Sequence, residues 1–246
     1  MYDAHEALLA IDQHTATIMA CLLITVIGAF FYFVIAMTMA IKQKVYVVPF
    51  IGSAVFLWHD FTFVLMYDQW FHVYNHWWVK MWWFALCGTV GFEVLMIYQV
   101  YRYGHKELWP NLSKRAFGAM VVLGTLGIGM MWALVKVSLG DPLFFITFAV
   151  TASFSVPFHT AVMSRRQSRA GQSIAMELST IVMLWSLTGA FAQIAPFFHS
   201  PAYLGFVAVF TLWPLANVWL ILRLPPAAVS RENPVARSNA FLATAG

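Results

Sequence analysis

An all-α polytopic membrane protein, built as a seven-transmembrane-helix bundle, is what three observations on this chain of 246 residues predict. Hydrophobic residues make up 61% and charged ones only 10%, against roughly 45–50% and about 25% in soluble domains. The apolar residues fall into long continuous stretches, whereas barrel strands would be about 10 residues long and alternating. Lys and Arg gather in every second connection, as membrane topology requires. This composition excludes a disordered chain and leaves a soluble globule too little polar surface to cover itself.

Taken in order, the stretches are 15–41, 45–67, 77–101, 117–137, 143–163, 173–195 and 203–222. Each is long enough for a helix that crosses the hydrocarbon core, which needs about 20 apolar residues. Lys42 and Lys44 follow the first stretch; Arg102, Lys106, Lys114 and Arg115 follow the third. Arg165, Arg166 and Arg169 follow the fifth, and Arg223, Arg231 and Arg237 follow the last. All four basic segments share one face only with seven spans, which places the N-terminus outside and the C-terminus in the cytoplasm. Residues 1–222 are therefore expected to form a single seven-helix membrane domain with antiparallel sequential neighbours. Residues 223–246, with Pro225, Pro226 and Pro234 among small and polar residues, are expected to form a flexible cytoplasmic tail.

The net charge of +4 is explained by this topology, so no nucleic-acid partner is expected. The bilayer is the expected partner and an integral, multi-pass membrane location the expected address, the plasma or inner membrane if the source is bacterial. Oligomeric state is not legible here. Cys21 and Cys87 both lie inside apolar stretches, which argues against a disulfide framework. Asp3, Glu6 and Asp12 in a leading segment without a basic patch argue against a cleavable signal peptide, leaving targeting to the first span.

Ionisable groups inside spans cost several kcal/mol unless paired or hydrated, so each is a functional candidate. Asp60 lies in the second span, about 10 Å from its outer end, with Trp58, Phe61, Phe63 and Tyr67 around it. One reading makes it a structural carboxylate that caps a neighbouring helix or pairs with Lys136. The other makes it a carboxylic acid kept protonated by apolar and aromatic walls and able to deliver a proton. His59 is expected on a different face of that helix. Glu93 in the third span admits the same two readings. Glu177 is read as structural, pairing with Arg165, Arg166 or Arg169 or favouring a helix N-terminus. His159 is read as a hydrogen-bonded core residue, and Gln193 and Asn217 are neutral polar residues in the last two spans. Trp70, Trp77, Trp78, Trp82 and Trp83 cluster at the outer ends of spans two and three. They form an interfacial belt or, in part, line a dry pocket whose ring faces stabilise cations.

Asp68, His72 and His76 are spaced four apart, so a continued helix would stack them on one face as a site for zinc, iron or copper. This is the alternative to the main expectation of no cofactor. Glycine-rich phosphate loops, paired-cysteine metal motifs and nucleophile elbows are absent.

Tyr46-Val-Val-Pro49-Phe50 followed by Trp58-His-Asp60-Phe61-Thr-Phe63 resembles the second helix of the transmembrane terpene cyclases. These are the small seven-helix cyclases of fungal meroterpenoid and indole-diterpene pathways and their bacterial relatives. Counted from Pro49, Asp60 takes the place of that family's proton-donating Glu, with Trp58 one position out of register. Tyr101-Arg-Tyr-Gly104-His-Lys-Glu-Leu-Trp-Pro110 is similar to the family's ending of the third helix, and Glu93 falls near an acidic position of bacterial members. Arg165-Arg166-Gln-Ser168-Arg169-Ala-Gly171-Gln172-Ser173 looks like the family's loop before the sixth helix. The chain departs from the pattern in the last helix, where Asn217 stands nearest to the expected acid.

The resemblance implies an enzyme of cyclase or isomerase type acting on a lipophilic, isoprenoid-like small molecule from the bilayer. Asp60 would protonate an epoxide or terminal alkene, with Glu93 or Asn217 orienting the acid or assisting deprotonation. Trp58, Phe61, Phe63, Tyr67 and Trp82 would bind the substrate and shield the cation. A small-solute transporter or channel with Asp60 and Glu93 as its proton or solute site is the alternative of a different class.

Overall fold

A computed structural model gives the structure of residues 2–226, which form helices and turns with no strand among them. Six of the helices are long and apolar enough to cross a membrane, the mark of a multi-pass membrane protein. Most of the expected tail 223–246 lies outside the described residues.

The chain begins with a short helix absent from the sequence reading, α1 (Ala4–Gln13). Asp3 caps it, accepting from the N–H groups of His5 and Glu6 at 2.8 and 3.0 Å, and Ala7, Leu8 and Ile11 turn into the core. The next helix, α2 (Thr15–Gln43), ends at Lys44 in the left-handed region. The expected second span, 45–67, is shortened to α3 (Phe50–Leu65). A helix begun at Val45 would carry Pro49 in its second turn, where the missing N–H breaks the ladder. A π-helical turn, Gln69–Tyr74, then Asn75 in the left-handed region, leads to α4 (Trp77–Tyr103). The short α5 (His105–Leu108) precedes α6 (Lys114–Leu139), whose first turn is capped by Ser113.

The expected fifth span, 143–163, is present as Phe145–Arg166, long and apolar enough to cross a membrane, but it is broken within. It divides at Phe154 into α7 (Phe145–Ser153) and α8 (Ser155–Arg166). Pro157 supplies the reason: it has no N–H to offer the carbonyl of Ser153, and its ring crowds that turn. Ser173 caps α9 (Ile174–Ala192), and Ser200 with Pro201 opens α10 (Pro201–Arg223), each serine accepting a backbone N–H three residues on.

Helix α2 packs along α9, and α3 along both α4 and α6; α10 closes against α8 and α9. Small residues set the closest approaches. A Cβ on Gly129 of α6 would collide with the Trp58 ring of α3, and one on Gly28 of α2 would lie 2.8 Å from Met183 of α9.

The connections after α2, α4, α8 and α10 meet at one end of the bundle. Glu107 accepts from the Tyr46 hydroxyl at 2.7 Å and from Arg166 at 3.0–3.2 Å. Arg166 also donates to the carbonyl of Tyr46, Gln43 accepts from the Gly171 N–H, and the Arg169 N–H donates to the Pro225 carbonyl. At the opposite end, the Tyr2 hydroxyl donates to Asp141, whose other oxygen accepts from the Thr147 N–H and hydroxyl at 2.8 and 2.9 Å. Lys136 bonds the Asp141 carbonyl and lies over the Phe144 ring, so it is not the partner of Asp60.

Candidate functional site

One cavity of about 120 Å³ lies inside the bundle, walled by α2, α3, α4, α7 to α8 and α9. By the same measure a single water needs about 10–15 Å³, and cavities of about 150 Å³ take up benzene. Its walls are mostly apolar, and its aromatic rings are Tyr32, Phe33, Phe56 and Phe148, with the imidazole of His59 beside them.

Asp60 and Glu93 both face this cavity, though 33 positions separate them in the sequence. Helix α3 presents Asp60 beside α4, which presents Thr89 and Glu93 one turn apart on the same face. The Asp60 carboxyl is held at both oxygens. His59 Nδ1 lies 2.7 Å from Oδ1, and the Thr89 hydroxyl donates to Oδ2. His59 thus turns toward Asp60, not to a separate face as its neighbouring position implied. Glu93 lies on the same cavity wall as Asp60.

Two buried polar atoms here have no hydrogen-bond partner among the described residues: Glu93 Oε2 and His59 Nε2. Buried polar atoms are nearly always satisfied, and each exception calls for an explanation. Elsewhere His59 is packed edge-on by Trp132 and Phe144, 5.2 and 5.7 Å between ring centroids. This corner of the cavity combines two carboxyl groups, two orphaned polar atoms and apolar walls.

The sequence-predicted aromatic residues lie elsewhere. Trp58 packs on Gly129 and donates its indole N–H to the Thr125 carbonyl at 2.6 Å, with Phe61 against its edge. Phe63 is fully buried and stacks on Trp70 at 4.1 Å. Tyr67 is exposed and stacks on Phe71. Trp82 comes nearest, standing behind the wall with its ring 5.1 Å from that of Phe148. Trp70 and Trp78 are core residues, not belt residues, while Trp77 lies at the surface and donates to Asp12 at 2.8 Å.

Asn217 is not beside Asp60 and Glu93. It belongs to a second buried cluster in which its amide donates to Glu177 Oε2 at 3.2 Å. Glu177 Oε1 lies 2.8 Å from His159 Nδ1, and His159 Nε2 lies 2.9 Å from the Tyr32 hydroxyl. His159, Glu177 and Asn217 are fully buried. Glu177 therefore pairs with His159 and Asn217; Arg165 and Arg166 turn to Glu107 instead. His159 is the hydrogen-bonded core residue expected of it. Tyr32, which the sequence reading did not single out, connects the two polar centres because its ring also lines the cavity.

The metal alternative loses its geometry. Asp68 and His72 are exposed and 4.0 Å apart, while His76 caps α4 and faces Asp12 at 3.1 Å. Asn75 in the left-handed region ends the helical path that would have stacked the three. Among the described residues no group of three or more His, Cys, Asp or Glu side chains could hold a metal ion. No protein-family model, curated protein or solved structure matches the chain.

Proposed function

We propose that this protein is a multi-pass membrane enzyme of seven spans that starts an acid-initiated cyclisation or isomerisation of a lipophilic, isoprenoid-like substrate. The resemblance to transmembrane terpene cyclases supports the substrate class. The carrying observation is the cavity corner where Glu93 Oε2 and His59 Nε2 stand unpartnered among the described residues, with Asp60 beside them. A polar group at the end of an otherwise apolar ligand supplies what those atoms lack.

Asp60, fixed by His59 and Thr89, serves as the anchored carboxylate, and Glu93 as the donor. Its Oε2, the oxygen without a partner, is where the acid's proton leaves for an epoxide oxygen or alkene carbon. The resulting cation is shielded by the faces of Tyr32, Phe33, Phe56 and Phe148. A neighbouring C–H bond then breaks to give an alkene, and the proton returns to the protein. The net change is an isomerisation, so no oxidant or reductant is consumed. Exclusion of water keeps the cation from capture.

The seven-span topology includes α3 as a short span. The meeting of the four basic connections at one end supports it, because an even number of crossings must separate connections that share a face, and α3 supplies the second crossing between those after α2 and α4. That end is assigned to the cytoplasm and the N-terminus to the outside.

The test uses protein in lipid nanodiscs, supplied with farnesol and with its terminal epoxide in deuterated water. The expected result is a cyclic or isomerised product carrying one non-exchangeable deuterium after alkene protonation. Glu93→Gln, still folded, should lower turnover by about 100-fold or more. No turnover of either probe, with saturable solute uptake into proteoliposomes instead, assigns the carboxyl pair to transport and overturns the enzyme reading.

A further inference from the structure

The carboxyl pair occupies one wall of the cavity, and a different titratable side chain stands on another. Tyr32 lines the same space from α2, and its hydroxyl is backed by an uninterrupted buried chain. The direction of that chain can be read from its far end. The Trp213 indole N–H donates to the Thr160 hydroxyl oxygen at 2.8 Å, and Thr160 donates to Asn217 Oδ1 at 2.6 Å. This fixes the Asn217 amide, whose nitrogen then donates to the Val156 carbonyl and to Glu177 Oε2. An ionised Glu177, accepting from Asn217 at Oε2, requires that His159 Nδ1 carry the hydrogen facing Oε1. In the neutral imidazole Nε2 is then a lone-pair acceptor, and the Tyr32 hydroxyl donates to it. The lone pairs of the Tyr32 oxygen remain for whatever fills the cavity.

We infer that Tyr32, relayed through His159 to Glu177, is the proton acceptor that ends the reaction begun at Glu93; this rests on the acid-initiated reading above. The carbon–hydrogen bond beside the cation breaks, and its electron pair becomes the new double bond. That proton moves to the Tyr32 oxygen as the phenolic proton moves to His159 Nε2. The imidazolium so formed faces Glu177, whose charge stabilises it, much as a buried acid serves an acyl-transfer histidine. After product leaves, the surplus proton on His159 returns through Tyr32 and a water in the emptied cavity to the Asp60–Glu93 pair. The proton count of the protein is then restored. Tyr32 is the residue that touches substrate; His159 and Glu177 act through it as positioning and charge-stabilising residues.

This inference assigns donor and acceptor to different helices and different walls, so they separate by experiment. With the same two probes, Tyr32→Phe is expected to keep substrate protonation but lower turnover by about 100-fold. The position of the product double bond should scatter, and deuterium at the lost position should alter the ratio of products. Glu177→Gln keeps the shape of the relay without its charge and should give the same scatter, which serves if Tyr32→Phe does not fold. Either variant giving the wild-type product at the wild-type rate overturns the relay. So does a slower enzyme with an unchanged product pattern, since mere packing would do that. If the wild-type protein turns over neither probe, the acid-initiated reading falls and takes the relay with it. Turnover abolished by Glu93→Gln but untouched by Tyr32→Phe removes the relay alone.

Discussion

Two polar centres share this bundle and are finished to different degrees. Around His159 and Glu177 every polar side-chain atom has a partner, and the donors run in one consistent direction from Trp213 to Glu177. Around Asp60 and Glu93, two buried atoms have none. A closed network holds four helices in one arrangement, because each unmade hydrogen bond inside the bundle costs the full desolvation of a polar group. An open one carries that cost in the empty protein and is relieved when a ligand completes it. The first is the rigid backing of the cavity; on the proposed function, the second is the place that waits for a substrate.

The largest expected effect breaks the closed centre. Glu177→Ala leaves His159 Nδ1 without a partner and takes one acceptor from the Asn217 amide, and should cost about 3–5 kcal/mol, read as a fall in thermal midpoint in detergent. An unchanged midpoint would mean that the two centres do not differ. Glu93→Leu sharpens the contrast from the other side. It removes an orphaned buried oxygen and should raise the midpoint by about 2–4 °C while abolishing turnover; a lowered midpoint would make Glu93 structural.

The same contrast extends to the two ends of the bundle at smaller scale. Tyr46 is buried and donates to Glu107, which pushes its phenol up to about 12 from an ordinary value of 10.0. The unfolded chain therefore loses this proton first. The stability contributed by Tyr46 is complete below pH 10 and declines as pH rises toward its folded value. Tyr46→Phe should flatten that alkaline decline in a pH series of unfolding midpoints. Asp12, at the other end, is held below the usual carboxylate range by the Trp77 indole N–H and by His76. Its contribution is present above about pH 3.9 and lost as pH falls through the lower folded value. Being solvent-exposed, it is worth under about 1 kcal/mol, which Asp12→Asn should show.

The all-helical bundle and the two acids that converge were legible because membrane burial makes both conspicuous. Long apolar stretches announce themselves, and a charge among them has few innocent reasons. The cavity wall was not legible. Helices apolar on every side show no periodic face, so Phe33, Phe56 and Phe148 could not be told from lipid-facing residues. Tyr67, proposed for the wall, lies exposed. Thr89 carried a usable signal, standing four residues before Glu93 in an otherwise apolar run. The partnership of His159 with Glu177 did not, since it depends on how α8 and α9 turn toward each other across the loop of residues 167–173. The break in the fifth stretch was signalled by Pro157, and the start of α3 by Pro49, but apolar composition outweighed both.

The brevity of α3 has a consequence for the surrounding lipid. Its 16 residues extend about 24 Å, short of a hydrocarbon core of about 30 Å, whereas α2 with 29 residues exceeds that thickness. On the proposed seven-span topology such a bundle is mismatched in two senses: lipid must thin beside α3, and α2 must tilt to fit. Since Asp60 rides on the short helix, bilayer thickness becomes a variable that acts on the acid's own scaffold. Shorter acyl chains relax the flank beside α3, and longer ones strain it.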